Sequence, residues 1–114
     1  MTSEEVPFEQ LPDCVKAGLA GRKDLAGSAW VKRRISLDEL GPIGVSDQTE
    51  DERQAIQQYK EDYLQRREVC PPAFETIDGC LWPADGFHRI AAYCMAAEED
   101  KTLPEWIEGW VRVR

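Results

Sequence analysis

The chain has 114 residues, 42% of them hydrophobic, and carries 14 basic against 22 acidic side chains for a formal net charge of −8. That length fits one domain, the apolar fraction suits a folded globule rather than a disordered chain, and the acidic balance opposes non-specific binding to nucleic acid. No apolar run approaches the ~20 residues that a helical membrane span requires.

The opening stretch MTSEEVPFEQ is acidic and lacks the apolar core of an export signal. The expectation is a cytoplasmic protein with no membrane partner, whose cysteines stay reduced. Cys14, Cys70, Cys80 and Cys94 form no C-x-x-C pair, and His88 is the single histidine, so no zinc site is expected.

Residues 1–29 are an N-terminal extension with weak signals. Leu11, Val15 and Leu19 recur every four residues, as one face of a short helix would require. Gly18, Gly21 and Gly27 make the neighbouring backbone loop-like. Residues 30–37 read as a strand, Ser36 starts a tight turn through Asp38-Glu39-Leu40, and Gly41-Pro42 breaks the element.

A helix is expected over residues 49–67. Thr49 and Glu52 have capping-box spacing, Glu50 and Asp51 suit the positive end of the helix dipole, and Ile56, Tyr59 and Tyr63 form its apolar stripe. Arg66 and Arg67 complement the opposite end, and Cys70-Pro71-Pro72 terminates the segment. AFETI, Asp78-Gly79 and CLW then read as a hairpin, with Pro83 stopping its ladder.

A second helix is expected over residues 87–98, with Ile90, Cys94 and Ala97 on one face and Tyr93 beside them. The closing stretch WIEGWVRVR alternates with period two and reads as a strand with one face inward. The sum is a single α+β domain over residues 1–114, with a small mixed sheet and two main helices.

Chemistry concentrates at WPADGFHRIAAY, residues 82–93. A strand leads through a glycine turn into a helix, whose first amides are unpaired and partly positive. Gly86 permits close approach of a ligand, Arg89 offers a planar fork of donors, and His88 adds a titratable one. These features compose an anion site for which phosphate is the natural occupant. Asp85 has three roles open to it: capping the helix, holding a ligand-bound metal ion, or orienting His88. The plainer reading is a capped helix with a surface histidine, a core Phe87 and an ion-paired arginine.

The segment PPAFETIDGCLWPADGFHRIAAY resembles the core of the ParB/sulfiredoxin superfamily, in which Pro-Pro, a short hairpin and Asp-Gly-x-His-Arg precede a helix. The likeness extends more weakly from about Lys32 to Arg114. It implies a ParB/sulfiredoxin-like fold and a nucleotide whose phosphates meet Gly86, Phe87, His88 and Arg89. Phe87 stands where sulfiredoxins carry cysteine, which argues against sulfinic acid reduction. Phe87-His88-Arg89 replaces the Glu-Arg-Arg of chromosome-partitioning members, and no residues remain for their helix-turn-helix region. The free-serine kinases of the superfamily match Asp-Gly-x-His-Arg more closely, and that resemblance implies an upstream catalytic acid, open among Asp38, Glu39 and the acids of the first expected helix.

Two classes of function follow. In the first, a nucleoside triphosphate with Mg²⁺ binds at Asp85–Arg89 for hydrolysis, phosphoryl transfer or DNA cleavage. Asp85 and His88 are then the catalytic candidates, with Asp38 and Glu39 as alternative acids. Arg89→Ala should abolish ligand binding and leave the fold intact. In the second, an acidic non-catalytic regulator meets a protein partner through Trp106 and Trp110, which share one strand face.

Overall fold

The computed structural model describes residues 4–40 and 49–114. The described elements are β1 (Val6–Pro7), α1 (Asp13–Gly18), β2 (Ala29–Ser36), α2 (Glu50–Leu64), β3 (Ala73–Ile77), β4 (Cys80–Asp85), α3 (Phe87–Glu99) and β5 (Trp106–Arg112). The strands form one mixed sheet ordered β1-β2-β5-β3-β4. The fold is α+β. No described helix is long and apolar enough to cross a membrane.

The alternation in β5 explains its central place. Ile107, Gly109 and Val111 are buried on one face, where they meet Ile35, Phe74, Ile90 and Tyr93 beneath α2 and α3. Gly109 makes room for the Phe74 ring, since a methyl there would lie 2.7 Å from Phe74 Cε2. On the opposite face, Trp30, Ala73 and Trp110 pack against Leu11, Val15, Leu19 and Leu25. The four-residue spacing in the N-terminal segment thus marks a second apolar layer, with α1 at its centre.

Local signals account for most boundaries. Thr49 caps α2 by accepting from the Glu52 amide at 3.2 Å. Ser36 and Glu39 form a complete capping box on the 3-10 turn Leu37–Glu39. Asp78 (φ +52°) and Gly79 (φ +80°) give the hairpin its left-handed turn. The expected break at Gly41-Pro42 lies outside the described residues.

Three expectations need correction. First, α2 ends at Leu64 rather than Arg67. Arg66 takes a left-handed φ of +59° and reaches across to Asp100 and Thr102, while Arg67 returns to Asp62. Second, Pro83 does not stop the ladder: β4 continues to Asp85, with a register shift opposite Ala73/Phe74. Among the named strands β4 is an edge, where a missing N–H need not break a pairing.

Third, not all the cysteines are reduced. Cys14 in α1 is bonded to Cys70 across 56 positions, with Cys80 and Cys94 left as free thiols. The N-terminal layer brings α1 over the segment that follows α2, a meeting that cysteine spacing does not encode. Closing a loop of that length restricts the unfolded chain by about 4 kcal/mol on the chain-entropy treatment.

Arg22 joins the N-terminal layer to β3 by contacting Asp24 at 2.7 Å and Glu75 at 2.5 Å, and Arg112 adds a longer contact to each acid. The hydrogen bond from Arg22 holds the Asp24 carboxyl down at about 2. A depressed carboxyl stabilises the fold above its unfolded value near ~4 and loses that contribution as pH falls toward the folded one. Wild type should therefore melt above Asp24→Asn at neutral pH, with the gap closing between pH ~4 and ~2. Melting temperatures across that range test this; a gap that persists at the acid end would contradict it.

Candidate functional site

The turn from β4 into α3 is built around Gly86, whose φ of +101° lies in the left-handed region. A methyl on Gly86 would come within 2.8 Å of Pro72 Cβ and 3.1 Å of Arg89 Nη2. Glycine is thus needed for close packing within the protein. The first backbone bond closing α3 runs from the Ile90 N–H to the Gly86 carbonyl at 2.9 Å. The amides of Phe87, His88 and Arg89 therefore precede the helical ladder. Gly86 supplies no side-chain cap.

Asp85 does not cap either, because Arg89 Nη2 donates to its Oδ2 at 2.6 Å. Arg89 is only 8% exposed. Its Nη1 donates to the carbonyls of Cys70 and Pro71 at 2.7 and 3.3 Å. A charge buried this deeply persists only when paired and hydrogen-bonded. The same Asp85 carboxylate oxygen lies close to α1, where a methyl on Gly18 would lie 1.9 Å from Oδ2. The Arg89–Asp85 pair thus ties together α1, the segment after α2, and the β4–α3 turn.

Phe87 and His88 face outward. Phe87 is 48% exposed, and so is Trp82 at 47% on β4. The His88 ring is half-exposed, with Nε2 3.6 Å from Glu52 Oε2 in the first turn of α2. Below them, burial pushes the Tyr63 hydroxyl above its ordinary value, the Arg89 charge acting in the opposite direction. Tyr63 meets Tyr93 edge to face with ring centroids 5.0 Å apart.

The structure thus brings Asp85 and Arg89 together as an ion pair and sets His88 beside Glu52. Glu52 had been singled out for its capping spacing and stood otherwise only among the acids of the first expected helix, and Gly18 and Cys70 carried no site signal. The alternative acids lie elsewhere. Glu39 is held by Arg33 and by the Ser36 amide, which depress its carboxyl. Asp38 lines a hollow with Cys94, Ala97 and Glu98, in the C-terminal half of α3.

A triphosphate-bound Mg²⁺ commonly keeps several waters and takes one or two carboxylates. Asp85 is engaged by Arg89, and among the described residues no three His, Cys, Asp or Glu side chains converge as a ligand set. No chemical step is assigned to that ion.

The two tryptophans of β5 are also placed. Trp110 packs into the N-terminal cluster. Trp106 is half-buried beneath Arg34, whose guanidinium carbon stands 4.2 Å from the ring centroid. Compared with protein-family models, with curated proteins and with solved structures, the chain finds no match in any of the three.

Proposed function

We propose that this chain is a ParB/sulfiredoxin-like nucleotide-binding protein that takes a phosphate group at the N terminus of α3. The observation that carries the reading is the start of that helix. Its first three amides precede the ladder, Gly86 offers no side chain, and Arg89 engages the neighbouring carboxylate of Asp85. Partly positive amides in that setting attract phosphate oxygens. Exposed Phe87 is suited to stack on a base, and His88 to donate to a phosphate.

Arg89 enters this reading through its backbone amide and through the clamp that sets the turn; its guanidinium serves Cys70, Pro71 and Asp85. The proposal is for binding. His88 with Glu52 is the pair best placed for proton transfer should hydrolysis or phosphoryl transfer accompany it.

Melting curves with ATP, CTP, GTP and ADP, each with and without Mg²⁺, test this. A ligand at a hundredfold excess over its Kd adds about 2.7 kcal/mol to the native state. At least one nucleotide should raise the melting temperature, and the surface double variant Phe87→Ala/His88→Ala should abolish the rise. A flat response to all four would remove the proposal.

A further inference from the structure

The sheet carries two separate apolar clusters, one on each face. The cluster under α2 and α3 draws on Ile35, Phe74, Ile90, Tyr93, Ile107 and Val111, with no described hydrophobic residue N-terminal to Val31 packed against it. The other depends on Leu11, Val15, Leu19 and Leu25 closing over Trp30. The main core therefore does not draw on the N-terminal layer, which polar contacts such as Arg22 to Glu75 also hold to the sheet.

Its backbone attachment is slight, since β1 pairs with β2 only at Val6–Trp30 and Pro7–Ala29. At this interface Trp110 Nε1 is buried with no hydrogen-bond partner among the described residues. Weakly attached elements of this kind open below the global unfolding free energy. The covalent tie is the Cys14–Cys70 disulfide, and Cys14 lies exposed on α1.

We propose that the Cys14–Cys70 disulfide is a reducible latch that holds the N-terminal layer on the sheet and releases it when a dithiol reductant reaches Cys14. A reductant thiolate attacks Cys14 Sγ, the bond to Cys70 breaks, and Cys70 leaves as a thiolate that takes a proton from water. The second reductant thiolate then attacks the mixed disulfide and frees Cys14, which is protonated in turn. Two electrons pass to the cysteine pair, and the reductant departs as its own disulfide. Release uncovers Trp30 and Trp110 and lifts Gly18 from Asp85, whereas Arg89 keeps its bonds to Cys70 and Pro71. The latch stands independently of nucleotide binding.

The test is hydrogen exchange on the full chain carrying Cys80→Ser, which removes an exposed thiol that would reshuffle the bond. Oxidised protein is compared with protein reduced by dithiothreitol, the thiol state being checked by intact mass. After reduction, amides of residues 13–28 should exchange at least roughly tenfold faster, while those of residues 31–36 in β2 and of β5 keep their rates. Cys14→Ser should reproduce this pattern without reductant, and reduced wild type should show the same with red-shifted tryptophan emission. Three results would overturn the latch: unchanged exchange over residues 13–28 on reduction, loss of protection throughout the sheet, or failure of the disulfide to form under oxidising conditions.

Discussion

Arg89→Met is expected to destabilise the fold by about 3–5 kcal/mol, a large share of the ~5–15 kcal/mol available to a domain. Methionine fills part of the volume but donates nothing. The carbonyls of Cys70 and Pro71 lose their contacts to Nη1, and the partly buried Asp85 carboxylate loses its cation. Sequence reasoning expected an arginine dispensable to the unliganded fold; its burial and three internal acceptors give the opposite expectation. Urea denaturation followed by circular dichroism measures the loss. Asp85→Asn/Arg89→Met should recover part of it, because the orphaned charge is then gone. An unchanged midpoint for Arg89→Met would dissolve the clamp and return the guanidinium to a ligand.

Gly86→Ala should cost about 2–5 kcal/mol. Roughly 1–2 kcal/mol comes from forcing an L-residue into the left-handed region, and about 1–3 from overpacking against Pro72. Gly79→Ala separates the two contributions. Gly79 has a similar φ of +80°, but a methyl there would meet nothing within 4 Å. Both variants should melt below wild type, Gly86→Ala by clearly more. Equal losses would mean that Pro72 moves aside freely and that the turn is loosely packed.

The fold was legible wherever a local rule decides the conformation. The Thr49 cap, the Asp78-Gly79 turn and the alternation of Trp106–Arg112 each reflect physics within a few residues. What stayed hidden depends on contacts across the sheet. The partner of Cys14 is 56 positions away. The acceptors of Arg89 are mostly backbone carbonyls, which no side-chain pattern announces. Pro83 was misread because its tolerance depends on β4 being an edge, which is a property of the sheet rather than of the hairpin. At the site, the strand–turn–helix geometry was readable from Asp85-Gly86. Which groups face outward was not, since Phe87 reads as core and Arg89 as a ligand donor, and their exposures are reversed.

The central position of β5 has a kinetic consequence. Among the named strands, β1 and β2 on one side and β3 and β4 on the other are joined in the sheet by β5, the last of these elements to be synthesised. During synthesis the sheet cannot be completed until residues 106–112 arrive to lie between β2 and β3. Completing the sheet joins β2 to a strand far along the chain, a step of high sequence separation and correspondingly slow. Until it is complete, the open flanks of β2 and β3 are exposed to mispairing with neighbouring chains.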